Sequence, residues 1–261
     1  MVRNALFAAL VAVAAAGSTL SAGPALSQTS GAALSAPASD ADREAFRAEV
    51  RAYLMEHPEV IFEAVAEYER RQQAAQADMD LALVQINADD IFHDDHSWVT
   101  GNPDGDVTLV EFMDYRCGYC RKAQAEVEEL IASDGNIRFV VREFPILGEN
   151  SLVSSRFALA VRAVAGDDAY KAAHDALMTL SADATEPALR RLAETLGLDA
   201  EAVLAGMKDP EIDRIIGETR ALAQVLQING TPTFVMGTQM LRGYVPLEAM
   251  RQIAQDVREA G

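Results

Sequence analysis

The chain holds two cysteines, and they stand two residues apart in Cys117-Gly118-Tyr119-Cys120. A run of strand-forming residues, Val107 to Met113, leads into them. Helix-forming sequence then starts at the first cysteine and continues through Ala123, Glu126, Val127 and Leu130. Strand, Cys-x-x-Cys, helix is the arrangement of a redox dithiol. A thiol at a helix N-terminus faces unpaired backbone N–H groups and the positive end of the helix dipole, which favours its thiolate. Cys117 is therefore the expected nucleophile. Cys120, one turn further in, is expected to be shielded and to resolve a mixed disulfide. Arg116 and Arg121 are placed to strengthen the field. Other chemistries use the same pair. A structural zinc site needs four ligands, and only four histidines are available to complete one. A structural disulfide across two residues would restrain the unfolded chain little. Two soft thiolates also suit Cu(I).

Two further features belong with the dithiol. Glu111 interrupts the apolar run Val107-Thr108-Leu109-Val110-Glu111-Phe112-Met113. A carboxylate buried in a central strand is costly without a partner or a task. Beneath the helix start, its task would be to exchange a proton with Cys120; otherwise it occupies a half-exposed strand position. Far downstream, Gly230-Thr231-Pro232-Thr233-Phe234 places a proline just ahead of a second strand-forming run.

The elements that must position these residues follow from periodicity and punctuation. The strands are expected at 107–113, 137–143, 233–236 and 240–244, the last two forming a hairpin around Gly237-Thr238-Gln239. A short first strand is expected near Ser97 to Thr100. Helices are expected from Cys117 to about Ser133, throughout 150–227, and after Pro246. Upstream, Phe46, Val50 and Leu54 share one helical face, and Pro58 opens a second, longer helix striped by Ile61, Val65 and Tyr68. Asn87 to Asp106 reads as a connector. Within it His93-Asp94-Asp95-His96 can be drawn as metal ligands, although in a polar connector such side chains are ordinarily solvated, and no metal site is expected.

Composition narrows the function classes. Of 261 residues, 22 are Lys or Arg and 40 are Asp or Glu, a formal net charge of −18. So acidic a surface repels nucleic acid and anionic lipid. The first residues read as an export signal. Arg3 precedes the apolar run Ala5–Ala16, and Ala25-Leu26-Ser27 supplies small residues before a cleavage point at Gln28. Gly17, Ser18 and Thr19 interrupt that run short of the about 20 residues a membrane span needs. Export and a lone Cys-x-x-Cys agree, since disulfides persist outside the cytosol.

The motifs Glu111-Phe112-Met113-Asp114-Tyr115-Arg116-Cys117-Gly118-Tyr119-Cys120 and Gly230-Thr231-Pro232-Thr233-Phe234 resemble those of the DsbA-like branch of thioredoxin-fold thiol–disulfide oxidoreductases. The helices at 41–90 resemble the N-terminal extension of the ScsC-like (suppressor of copper sensitivity) group, whose members oligomerise through it. The resemblance implies an α/β protein: a thioredoxin fold with an inserted helical domain and an N-terminal helical extension. The expected organisation is a signal peptide at 1–27, a linker at 28–40, an oligomerisation extension at 41–90, a thioredoxin-like domain at 91–149 and 228–261, and an inserted helical domain at 150–227. It implies a cis Pro232 against the dithiol and a Thr231 backbone available to an extended substrate. Gly118-Tyr119 and Thr231-Pro232 resemble the pairs of the disulfide isomerase DsbC rather than the Pro-His and Val-Pro of DsbA oxidases. Without a histidine between the cysteines, Cys117 is expected to be less acidic and the dithiol a weaker oxidant.

The implied activity is an exported, periplasmic disulfide isomerase or reductase. It would need no cofactor beyond the Cys117–Cys120 redox pair and would act on exported proteins with disulfides. A membrane thiol reductase or oxidase would be its redox partner, and it would be a homo-oligomer. The alternatives are a DsbA-type oxidase, a periplasmic Cu(I)-binding protein and a non-redox chaperone.

Overall fold

The computed structural model describes residues 39–260; the expected signal peptide and all but the end of the linker lie outside them. The chain divides into two units, one ending at Phe62 and the other starting at Glu63. The elements in order are α1 (Asp40–Glu56), α2 (Glu59–Ile86), α3 (Ala88–Phe92), β1 (Trp98–Gly101), β2 (Val107–Met113), α4 (Gly118–Asp134) and β3 (Ile137–Glu143). They continue with α5 (Glu149–Ala165), α6 (Asp167–Thr179), α7 (Glu186–Thr195), α8 (Ala200–Gly206), α9 (Pro210–Val225), β4 (Thr233–Met236), β5 (Gln239–Arg242) and α10 (Leu247–Ala260).

In the first unit, α1 is started by a capping box: the Ser39 hydroxyl accepts from the Asp42 amide, and the Asp42 carboxylate accepts from the Ser39 amide. No residue of α1 is buried. Phe46, Tyr53 and Met55 stand exposed along it, as do Ile61 and Phe62 at the start of α2.

The second unit is built on a five-stranded sheet in the order β1-β3-β2-β4-β5. β2 and β3 run parallel, with Val107 opposite Ile137 and Met113 opposite Glu143. The other three pairings are antiparallel. Side chains alternate across β2 and β3 as strand geometry requires. Leu109 and Met113 join Ile137, Phe139 and Val141 on one face, in a core shared with α4, α5, α6 and α10. Val110, Phe112 and Val140 face the other way, against Val84 of α2, Ile91 of α3 and Ala223 of α9. That second face also buries Arg142, which donates to the Ile91 carbonyl at 2.7 Å and pairs with Asp94. The C-terminal part of α2 is held by Asp80, whose carboxylate takes the Arg242 guanidinium of β5 at 2.7 and 3.1 Å.

Two local details depart from the sequence reading. The connector contains α3, held by the burial of Ile91. The hairpin is tighter than expected: Met236 pairs with Gln239, so two residues turn the chain, with Gly237 at φ 57° in the first loop position. The last strand consequently begins at Gln239 and ends at Arg242. As the sequence reading expects of the second, longer helix, α2 continues without interruption through the polar stretch 72–77.

Candidate active site

β2 delivers the dithiol. It ends at Met113, a turn follows in which the Cys117 amide donates to the Asp114 carbonyl at 3.0 Å, and Cys117 becomes the N-cap of α4. At the far end, Gly135 closes the helix in a left-handed conformation (φ 73°) that suits glycine. Asp114, fully buried, sets the turn. Its carboxylate accepts the amides of Arg116 at 2.7 Å, Ile146 at 2.8 Å and Leu147 at 3.0 Å, clasping the dithiol turn to the loop after β3.

The two cysteines are free thiols with unequal environments. Cys117 keeps 8 % of its surface exposed and Cys120 none. The Cys117 thiol donates to the Thr231 carbonyl at 3.1 Å, across the cis Thr231–Pro232 bond. As a thiolate it is stabilised mainly by a hydrogen bond from the Cys120 thiol. Burial opposes this, and the Thr231 side chain and the amides of Cys120 and Tyr119 add to it; the result is a pKa lowered to about 5. Cys120 is pushed far above the ordinary thiol range by that same hydrogen bond, by burial and by the charge of Glu111. At neutral pH one sulfur is therefore an accessible thiolate and the other a buried thiol. Such a pair can attack a disulfide from Cys117 and release the adduct from Cys120 once its proton is removed.

Glu111 is the buried carboxyl whose charge acts on Cys120. It is 4 % exposed, and one carboxyl oxygen, Oε1, has no hydrogen-bond partner. Burial, and then the Cys117 charge, push its pKa up to about 8. The strand placement thus resolves in favour of the buried reading. Gly118 faces open space, and Tyr119 stands 62 % exposed with its ring 6.3 Å from that of Tyr244. The structure accordingly gathers Glu111, Cys117, Gly118, Tyr119, Cys120, Thr231 and Pro232 around one helix start.

Arg116 and Arg121 do not join them. Arg116 donates to the Leu180 and Ala182 carbonyls, and Arg121 to those of Tyr115 and Leu180. They fasten the dithiol turn to the end of α6, and the acidity of Cys117 derives from its own neighbours. Of the His93–His96 stretch, Asp94 and His96 are drawn into the fold, with Asp94 on Arg142 and its oxygen accepting the amides of His96 and Ser97, while His93 and Asp95 stay exposed. Among the described residues, no cluster of three His, Cys, Asp or Glu is arranged to hold a metal.

A second acid went unnoticed in the sequence. Glu143, at the end of β3, is buried and accepts hydrogen bonds from Tyr115 Oη at 2.7 Å, Tyr170 Oη at 2.6 Å and Ser155 Oγ at 2.7 Å. Tyr115 also meets His174 Nδ1 at 3.1 Å. The partners come from the dithiol turn, α5 and α6, so no local spacing announces them.

A central mixed sheet, a Cys-x-x-Cys at a helix start and a cis Thr-Pro facing the outer sulfur define a thioredoxin-fold thiol–disulfide oxidoreductase. More narrowly, the chain belongs to the DSBA-like thioredoxin domain family, whose profile matches residues 108–255. Ahead of it, residues 42–75 match the Copper resistance protein ScsC N-terminal domain. Among solved structures, a thioredoxin-like oxidoreductase from Silicibacter pomeroyi is 44% identical, covering 67% of this chain and 99% of its own, with a TM-score of 0.63. The thiol-disulfide exchange protein alpha-DsbA2 of Wolbachia pipientis is 27% identical over 72% of this chain and 98% of its own, at a TM-score of 0.64. A linker-deleted ScsC from Proteus mirabilis, 21% identical, shares the fold over 87% of this chain and 99% of its own, at a TM-score of 0.62. The curated relatives are larger: the chain spans about a quarter of their length. One of them, a Na(+)/H(+) antiporter NhaA of Salinispora tropica, is 29% identical over 156 residues, which are 60% of this chain and 24% of the relative.

Proposed function

We propose that the protein is an exported disulfide isomerase or reductase acting in the periplasm on proteins with disulfides. The Cys117 thiolate attacks one substrate sulfur, forming a mixed disulfide and releasing the other sulfur as a thiolate. In isomerisation a second substrate thiolate attacks the adduct and returns Cys117. In reduction, mixed-disulfide formation removes the Cys117 charge that helps hold Glu111 protonated. Glu111 loses its proton to solvent, its carboxylate accepts the Cys120 proton, and the Cys120 thiolate attacks Cys117. The substrate thiol leaves, and the Cys117–Cys120 disulfide remains for a membrane thiol reductase to re-reduce. Thr231 offers its backbone to the substrate strand and tunes Cys117, Pro232 shapes the docking edge, and Tyr119 borders it.

The observation that carries the reading is the Gly118-Tyr119 pair between the cysteines, set beside a cis Thr231–Pro232. No histidine stands between the cysteines to donate to the Cys117 thiolate, as one does in DsbA oxidases. A thiolate less stable than that of DsbA leaves a weaker oxidant, which can remain reduced and attack wrong disulfides. The N-terminal helices add to the proposal. Phe46, Val50, Leu54, Met55 and Ile61 line an apolar groove of about 410 Å³ in the first unit, a surface suited to a second copy of the chain. A homo-oligomer would present several dithiols to one substrate.

Refolding of scrambled ribonuclease tests the activity. The full chain should restore ribonuclease activity beyond a DsbA control, and Cys117→Ser should abolish the gain. No gain over DsbA, together with rapid oxidation of reduced ribonuclease, would make the protein a DsbA-type oxidase instead. The match to a copper-resistance domain favours a second reading, Cu(I) held by the two thiolates. It takes over if the chain binds Cu(I) tightly yet fails in both ribonuclease assays. Light scattering on the full chain reads the oligomer, and a monomeric mass would remove that part of the proposal.

A further inference from the structure

Behind the dithiol, between the sheet, α4 and α6, lies a cavity of about 500 Å³. Its walls are largely apolar, with Trp98, Val127, Ile131, Phe139 and Met178 among them. Trp98 forms one side, its ring 5.0 Å from Tyr170 and 5.9 Å from His174. That volume is in the range of small-molecule sites, which pair an apolar lining with a few convergent polar groups. Here the convergent group is Glu111, whose buried carboxyl has an oxygen without a partner and borders the cavity. The remaining charged lining residues are already engaged: Lys171 is paired with Glu128 at 2.8 Å and with Asp175. His174 is held neutral by burial, its pKa lowered to about 4, and Gln124 donates to Asp175.

We infer that this cavity is a binding site for a small amphiphilic amine, its apolar ring or chain against Trp98 and Phe139 and its protonated nitrogen on the free oxygen of Glu111. An unpaired buried acceptor is costly, and a donor that fills it gains a hydrogen bond with little competing water. A cation suits the acid better than a neutral donor, because burial and the Cys117 charge are what hold Glu111 up to about 8. The groups facing Glu111 are Cys117 and Cys120 from the helix start, and Glu128, Lys171 and His174 at the cavity wall. Since Glu111 is also the proton acceptor of the proposed reaction, an occupied site would slow release by Cys120. That consequence rests on the proposed function; the binding itself does not.

The chain has one tryptophan, and it lines the cavity, so Trp98 fluorescence reads occupancy directly. The full chain, kept reduced at pH 9 where Glu111 is ionised, is titrated with 4-phenylbutylamine, 4-phenylbutanol and 4-phenylbutanoate. The amine should bind about tenfold or more tightly than the alcohol, as a charge-assisted hydrogen bond over a neutral one requires, and the carboxylate should not bind. Glu111→Gln should erase the amine's advantage over the alcohol. Ala132→Phe, at an exposed α4 position on the cavity lining, should weaken both. Equal affinity of the three probes, no response of Trp98, or an amine preference that survives Glu111→Gln would each overturn the site. These readouts stand even where ribonuclease refolding fails, so the two ideas fail separately.

Discussion

Two glutamates point from adjacent strands into the same core, and their surroundings are opposite. Glu143 of β3 is met by three hydroxyls, from Tyr115, Tyr170 and Ser155. Glu111 of β2, two rungs back in the β2–β3 register, keeps an oxygen with no partner. Both are raised by burial, Glu143 to about 7 against the pull of its hydrogen bonds and Glu111 to about 8 with the Cys117 charge adding to the rise. The contrast separates two uses of a buried acid. At Glu143 the carboxyl joins three elements and belongs to the architecture. At Glu111 the fold tolerates an unsatisfied group beside the dithiol, as the proposed proton exchange with Cys120 would require.

Replacing each acid with an uncharged residue should therefore move stability in opposite directions. Glu143→Leu leaves three buried hydroxyls without their acceptor and should cost about 3–5 kcal/mol, read as a lower urea midpoint. An unchanged midpoint would mean that the hydroxyl network is not structural. Glu111→Gln should stabilise the reduced protein by about 3 kcal/mol at pH 7. The folded pKa lies above the ordinary 4.5, so the wild-type penalty begins near pH 4.5, grows to about pH 8 and is constant beyond. The gain should follow that profile and vanish at pH 4; a gain independent of pH would assign it to packing. The same substitution should slow release of a Cys117 mixed disulfide while leaving its formation unchanged.

Smaller effects sharpen the electrostatic side of the contrast. Tyr119→His should bring a second donor to the Cys117 thiolate and lower its pKa below the present value of about 5, by about one unit. The absorbance of the thiolate at 240 nm follows this titration, and the reduction potential should become more oxidising. Thr231→Val removes a lesser stabilising group and should raise the same pKa by about half a unit. A fall in its pKa, seen as more thiolate absorbance near pH 5, would contradict the assigned direction.

How legible the molecule is in its sequence varies with how local the determining signal is. β2 and β3 are readable because each is a short run rich in β-branched and aromatic residues with clear ends, and the dithiol because strand, cysteines and helix are contiguous. Glu111 stands out as a charge inside such a run. Glu143 does not, since it occupies the last position of its strand and looks like a terminator; its partners lie 12 to 28 residues away. Arg142, beside it, is hidden for the same reason, being neutralised by Asp94 from the connector. The hairpin slipped because Gln239 reads as a turn residue, while its pairing with Met236 is set by the two-residue loop. Arg116 and Arg121 misled because proximity in sequence says nothing about which carbonyls lie within reach.

The Asp114 clasp bears on how the surface beside the dithiol opens. The amides of Arg116, Ile146 and Leu147 lie outside regular elements, yet all three end on one buried carboxylate. Their hydrogen exchange should therefore be slow and correlated, released only when the two loops part together. Leu147, with its side chain in solvent and its amide inside the protein, would then be a loop residue with the protection of a strand.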